Sequence, residues 1–172
     1  GWDVGPVATL TQYVTKDPDT GLQNMGNYRA QIKGPRRMGM NPSLELRPGI
    51  YVHWEKMKAR GEKLPAAVVL GAPSCVTFTA AQKLPENIEE ITIAGGLVGA
   101  PINVVKARTV DLFVPAEAEI VVEGYINTEM LEPEAPFGES HGHVNLQEFN
   151  AYMDVTCITR RSDPVMTSII SQ

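Results

Sequence analysis

The sequence predicts a β-rich α+β fold, a closed or partly closed β-barrel with helices packed outside it. Three observations carry this. From Pro101 onward apolar residues recur with period two, in INVVKA, TVDLFVP, AEIVVEGYI and EFNAYMDVTCIT, which is the spacing of strands. The 15 glycines and 13 prolines among 172 residues exceed the roughly 12% of average usage, so the chain turns often. Helical spacing is confined to short stretches of the first hundred residues. Roughly five to eight strands with two or three helices suit one barrel, and a chain of this length forms one domain, residues 1–172, with a sizeable core.

The elements follow in order. VATLTQYV is a strand candidate, and KDPDTGLQ supplies the Asp, Pro and Gly of a hairpin turn. NMGNYRAQI returns as a second strand. KGPRRMGMNPSLELRPG, punctuated by Gly and Pro, reads as loop. In IYVHWEKMKARG, Ile50, Trp54 and Met57 fall at helical spacing, and Gly61 is a natural stop. AAVVLG is a short buried strand. PENIEEITIAGGLVG predicts a helix near 87–98 with Ile88, Ile91, Gly95 and Val98 on one stripe. Glu86, Glu89 and Glu90 sit in its first turns, where acids complement the helix dipole. In the last strand Phe149, Ala151, Met153, Val155 and Cys157 share one face.

Composition narrows the function. A net charge of −5 argues against a broad nucleic-acid-binding surface, and 43% hydrophobic residues argue against wholesale disorder. No apolar run approaches the roughly 20 residues that span a bilayer. The start, GWDVGPVATL, lacks a basic segment before an apolar one, so no secretory signal is expected. Cys75 and Cys157 are the only cysteines. They make neither a disulfide framework nor a four-cysteine zinc site, so a cytoplasmic protein with inert core cysteines is expected.

The most informative segment for chemistry is PEAPFGESHGH. Glu134 and Glu139 are joined through Pro136 and Gly138, which shape the loop. Two carboxylates held close push their proton affinities apart, giving one acid and one base or ion-pair partner; a solvated acidic loop would look the same. In NMGNYRAQ, Arg29 can clamp a carboxylate with two hydrogen bonds, or form a surface ion pair. His141 and His143 form an H-x-H, readable as a metal pair or as surface residues, and His53 sits at the edge of its helix's apolar stripe. No G-x-G-x-x-G, G-x-x-x-x-G-K-[ST], C-x-x-C or H-E-x-x-H is present, so dinucleotide, P-loop and common zinc-hydrolase chemistries are not supported. Glycoside hydrolysis by Glu134 and Glu139 would need both carboxylates across a sugar site, and 6% aromatics make a poor sugar platform.

Taken jointly, the motifs resemble the UbiD family of decarboxylases from about Val7 to about Met166. The family signature is a lysine, D-L-x-V-P-A, E-G, and then E-G-P-F-G-E. Lys106, Asp111, Val114, Pro115, Ala116, Glu123, Gly124, Glu134, Pro136, Phe137, Gly138 and Glu139 fall in place, with Ala135 replacing the usual glycine. The resemblance implies a split β-barrel, flavin-reductase-like, that binds prenylated FMN. It also implies an Arg-Glu-Glu trio on Arg29, Glu134 and Glu139. Glu134 would donate the proton, Arg29 would hold the substrate carboxylate, and Glu139 would orient Arg29. Cofactor contacts would come from Asn24, Gly26, Asn27, Tyr28, Arg29, Ala80, Ala81, Gln82 and Glu139. A divalent metal, usually Mn²⁺, with K⁺ beside it, would sit on Asn24, Glu45 and Glu90, with His53 as the alternative to Glu45.

Family members run near three times this length, with an N-terminal α/β domain and a C-terminal dimerisation domain. The sequence therefore reads as the central cofactor-binding domain of a homo-oligomeric enzyme. That enzyme would decarboxylate, reversibly, a small aromatic or α,β-unsaturated acid, with a flavin prenyltransferase supplying the cofactor. The isolated chain would be inactive. The alternative is a non-catalytic flavin- or partner-binding module. Neither nucleic acid nor membrane is expected as a partner.

Overall fold

The computed structural model describes residues 5–42, 47–138, 141–146 and 148–169. Eight strands form one antiparallel sheet: β1 (Val7–Ala8), β2 (Gln12–Lys16), β3 (Gln23–Asn27), β4 (Ala30–Gly34), β5 (Arg37–Gly39), β6 (Leu64–Leu70), β9 (Ile120–Ile126) and β14 (Tyr152–Arg160). Their spatial order is β1-β4-β5-β14-β9-β6-β2-β3. The sheet curls into a half-barrel. Tyr13 on β2 donates its hydroxyl to the carbonyl of Gly39, the last residue of β5, 3.1 Å away, although three strands lie between β2 and β5 in the sheet. The Tyr28 amide bonds the Thr11 carbonyl at 3.2 Å, drawing the β3–β4 connection toward the segment before β2.

Both faces of the sheet are covered, and period two decides which residue goes where. On β6, Ala66, Val68 and Leu70 join Tyr13, Met38, Leu64, Val122, Ile126 and Met153 inside the curl. Helix α1 (Gly49–Ala59) closes that interior with Ile50 and Met57. Ala67 and Val69 face the other way, toward α2 (Ser74–Ala80) and α3 (Glu90–Val98), which contribute Val76, Ala80 and Ala94. Fully burying a Val, Leu, Ile or Met side chain contributes roughly 1.5–3 kcal/mol, so alternate β6 residues anchor two separate cores. Among the described residues there are also three two-stranded ribbons: β7 (Val104–Lys106) with β8 (Phe113–Pro115), β10 (Glu132–Glu134) with β13 (Glu148–Asn150), and β11 (Phe137–Gly138) with β12 (Val144–Asn145). Among the described residues no helix is long and apolar enough to cross a membrane.

The expected α1 forms, and its C-terminal turn closes through Gly61 at φ 70°. The KDPDTGLQ turn also forms. Asp17 accepts the amides of Asp19 and Gly21, and its own amide reaches the Leu22 carbonyl. Other elements depart from expectation. VATLTQYV is split into β1 and β2, and NMGNYRAQI breaks at Tyr28 and Arg29 into β3 and β4, which pair with different strands. The glycine-rich loop contains β5. Helix α2 had no helical spacing to announce it. Helix α3 starts at Glu90 and buries Glu90 and Ala94, whereas Ile88 and Val98 are exposed. Glu90 can be buried because its Oε2 accepts the Met25 amide at 2.8 Å. Phe149 does not share the buried face of Ala151 and Met153, and a bulge between Val155 and Cys157 shifts the end of β14. Cys75 and Cys157 are free and only partly buried.

Two positions yield tests. At Gly124 on β9, a Cβ would collide with the Asp154 carbonyl on β14 beside that bulge. Overpacking of this kind costs ~1–3 kcal/mol, so Gly124→Val lowers the urea midpoint accordingly; an unchanged midpoint contradicts the close strand approach. His53 on α1 is buried with its Nδ1 2.9 Å from Thr15 Oγ1. Burial holds its imidazole down at about 4, against the pull of the Asp17 carboxylate 4.0 Å from Nε2. The unfolded chain therefore binds the extra proton first. Stability associated with neutral His53 is complete above the ordinary value near 6.5 and is lost as pH falls toward 4, up to ~3 kcal/mol. His53→Asn, which keeps a partner for Thr15, flattens the unfolding free energy between pH 6.5 and 4; a slope equal to wild type contradicts this.

Candidate active site: a guanidinium–carboxylate pair at the end of a cavity

The site begins at the break between β3 and β4. The Tyr28 ring folds back over Gly26, where any Cβ would collide with it, and packs on Tyr13 with centroids 6.0 Å apart. Thr11 Oγ1 donates to the Tyr28 carbonyl. This fold-back ends the strand and leaves Arg29 at the turn. Its guanidinium meets Glu134, the last residue of β10, through both ends of the carboxylate: Nε to Oε1 at 2.9 Å and Nη2 to Oε2 at 3.1 Å. The Phe137 ring lies against the guanidinium, 4.7 Å from centroid to Cζ. Glu134 is only 5% exposed, and a charge so placed needs full hydrogen bonding. Asn41 Nδ2 at 2.6 Å and Asn150 Nδ2 at 3.1 Å supply two further donors to Oε2. Burial, and then the nearby Glu134 charge, raise the Tyr13 phenol well above its ordinary range.

A cavity of about 760 Å³ opens beside this pair. Its walls include Asn24, Gly26, Asn27, Tyr28 and Arg29 from one side and Ala80, Ala81 and Gln82 from the other, together with His53, Glu90 and Phe137. The structure thus gathers eight of the nine expected cofactor contacts on one cavity, while Glu139 lies outside the described residues. Asn27 ties the walls together, accepting from Gln12 Nε2 at 2.9 Å and donating to the Thr77 carbonyl at 3.0 Å.

Of the expected metal residues, Asn24 and Glu90 line the same cavity, and Glu45 lies outside the described residues. Burial raises the proton affinity of Glu90. His53 is turned to Thr15 and Asp17. Among the described residues no group of three or more His, Cys, Asp or Glu side chains is placed to hold a metal, and His141 and His143 are exposed with rings 5.1 Å apart. One buried polar atom in the wall asks for a ligand: Asn24 Nδ2 has no hydrogen-bond partner, a costly state for a buried donor. A phosphate oxygen would satisfy it. A dication held by Glu90 would favour that buried carboxyl in its charged form, and oxygen donors suit a hard cation. The residues present therefore fit a phosphate-bearing cofactor with a divalent ion.

Sequence reasoning missed Asn41 and Asn150. The first lay in a segment read as loop, and the second on a strand judged only by its apolar face. Glu148, directly opposite Glu134 in the ribbon register, was missed too; Asn41 Nδ2 lies 3.3 Å from its Oε2.

Comparison with known proteins agrees with this geometry. The family model described as UbiD, 3-octaprenyl-4-hydroxybenzoate carboxy-lyase Rift-related domain, matches residues 2–172. An uncharacterised protein of Aquifex aeolicus is 35% identical over 99% of this chain and 35% of its own length. The chain spans about a third of the length of the curated relatives it matches. Among solved structures, an evolved dimeric form of the UbiD-class enzyme HmfF from Pelotomaculum thermopropionicum, in complex with prFMN, is 32% identical. It superposes with a TM-score of 0.94 over 99% of this chain and 39% of that one. Vanillic acid decarboxylase from Sedimentibacter hydroxybenzoicus, in its closed form, is 32% identical with a TM-score of 0.93 over 98% of this chain and 36% of that one. The fold alone is shared with nitrilotriacetate monooxygenase component B of Bacillus cereus, 15% identical with a TM-score of 0.55 over 90% of this chain and 71% of that one, in keeping with a split β-barrel of the flavin-reductase-like kind. With the family model spanning residues 2–172, and Arg29, paired to Glu134, in the wall of the cavity, the chain belongs to the UbiD family.

Proposed function

We propose that this chain is the central, prenylated-FMN-binding domain of a longer, homo-oligomeric decarboxylase that acts reversibly on a small aromatic or α,β-unsaturated carboxylic acid. The observation that carries the proposal is the buried Arg29–Glu134 pair at the end of a cavity large enough for a flavin. The relatives support it, one holding prFMN and another named for decarboxylating vanillic acid. Domain status is supported by large apolar side chains left bare: Leu146 at 83%, Phe149 at 64% and Met130 at 62% exposure. Such surface is expected to pack against further chain.

The roles follow from residue chemistry. Prenylated FMN, when bound, supplies the electron sink for carbon–carbon cleavage, which no amino-acid side chain offers. Arg29 presents a planar fork that already holds one carboxylate through two hydrogen bonds, the geometry a substrate carboxylate needs. Glu134 lies on that fork, and it delivers a proton to the carbon that loses CO₂. Glu139 orients Arg29. Asn24 and Glu90, with Glu45, would hold Mn²⁺ with K⁺, which would supply positive charge for the cofactor phosphate. A flavin prenyltransferase supplies the cofactor.

The test uses the full-length protein produced with a flavin prenyltransferase and assayed for CO₂ release across a panel of aromatic and unsaturated acids. Glu134→Gln lowers turnover by ~10²–10⁴ or more while the bound-flavin spectrum is retained. Arg29→Ala harms both substrate capture and flavin retention, and Glu139→Gln falls between them. Wild-type turnover in Glu134→Gln contradicts the proposal. Flavin retention with no turnover on any acid favours a binding module instead.

A further inference from the structure

After its last strand the chain returns to the cavity. From Arg161 to Ile169 it runs without helix or strand, and two residues hold it. Glu119 takes the first part. Its carbonyl accepts the Arg161 amide at 3.0 Å, its Oε1 accepts Arg161 Nη1 at 3.2 Å, and its Oε2 accepts the Val165 amide at 3.1 Å. Gly71, at φ 71°, makes room for this, since a Cβ there would collide with the Glu119 side chain. Thr9 takes the end. Its Oγ1 donates to the Ile169 carbonyl at 2.6 Å, accepts the Ile169 amide at 3.0 Å, and lies 2.9 Å from Ser168 Oγ. A hydroxyl has one proton and two lone pairs, so Ser168 is the donor in the last bond and the Thr9 hydroxyl is fully used. Both backbone polar groups of Ile169 are thereby pinned to one side chain.

That end point is beside Arg29. Ala8 pairs with Ala30 in the β1–β4 register, so Thr9 leaves β1 at the same end at which Arg29 enters β4. Thr9 and Ile169 line the cavity together with Arg29, Asn41, Pro42 and Phe137. This end of the cavity therefore combines one guanidinium with three apolar residues, Pro42, Phe137 and Ile169. Ile169 is 57% exposed, a large apolar side chain at the border of a ligand-sized space, which a ligand's hydrocarbon would cover. We propose that Ile169 is a specificity-determining residue, which bounds the acid-binding end of the cavity and limits the size of the acid's hydrocarbon body, and that Thr9 is the positioning residue that holds it there. The inference rests on Arg29 receiving the substrate carboxylate. With the carboxylate fixed on Arg29, the body of the acid extends a set distance from it. A wall fixed relative to Arg29 then decides which ring systems fit, and one methylene more or less in an apolar pocket changes binding ~10–200-fold.

The test reads binding rather than turnover. Benzoate and 2-naphthoate, each beside its uncharged amide, are titrated by ligand-detected NMR into full-length protein loaded with FMN. The amides report how much of the binding depends on the carboxylate. In Ile169→Ala the affinity for 2-naphthoate relative to benzoate rises ~10-fold or more. Thr9→Val, close in shape but without the hydroxyl, shifts the ratio the same way, and Thr9→Ser, which keeps the hydroxyl, returns it to the wild-type value. Retention of the FMN spectrum shows that each variant is folded, and Ile169→Ala, at an exposed position, keeps the test open if Thr9→Val does not fold. An unchanged ratio in Ile169→Ala, with each acid bound more tightly than its amide, overturns the proposal and leaves Arg29 as the carboxylate fork. Acids that bind wild-type protein no better than their amides remove the fork, and the size limit falls with it. An unchanged ratio in folded Thr9→Val overturns the role of Thr9.

Discussion

The buried ion pair between Arg29 and Glu134 is the constraint on which the rest of the site depends. Taking a guanidinium and a carboxylate out of water costs several kcal/mol per ion, and only close, fully hydrogen-bonded geometry offsets it. That geometry requires Arg29 to stand at a break in a strand and Glu134 at the end of a ribbon. It also requires two amides to donate to Oε2 of the carboxylate. The Tyr28 fold-back over Gly26, the β10–β13 pairing and the placement of Asn41 all meet one of these demands.

The curled sheet supplies the rigidity. A flat sheet would leave β2 and β5 far apart, whereas the curl lets Tyr13 reach Gly39 and puts the Tyr13 ring behind Tyr28. Two cores, one on each face of β6, hold the curl from inside and outside. The cavity then forms where the β3 edge of the sheet meets α1, the segment after α2, and the start of α3. Glu90 and Glu89 seat α3 against β3 by accepting the backbone amides of Met25 and Gln23. The edge strand's unpaired donors are thereby used to place a carboxylate on the cavity wall.

Much of this was legible in the sequence where local pattern and tertiary need coincide. Ile50, Trp54 and Met57 at helical spacing before Gly61 gave α1, and the period-two runs gave β6, β9 and β14. The joint motif carrying Glu123, Glu134 and Phe137 pointed to the family, and with Asn24 and Arg29 to the site. What escaped was decided by contacts distant in sequence. NMGNYRAQI reads as one strand, because nothing local shows that Tyr28 folds onto Gly26. The α3 stripe was misjudged because a glutamate on a helix reads as solvent-facing until a backbone amide from another element is seen to meet it. Asn41 and Asn150 carry no signature at all, since an asparagine that completes a buried carboxylate looks like any other polar residue.

The central claim is that this cavity holds a flavin with its reactive edge against the Arg29–Glu134 pair. A crystal structure of the full-length protein with FMN and Mn²⁺ tests it most directly. The account predicts FMN between the Asn24–Arg29 segment and the segment that follows α2. Its phosphate should lie toward Asn24 and Glu90, and its ring system should contact Arg29. FMN bound elsewhere, or a cavity that stays free of flavin at saturating concentration, would contradict it.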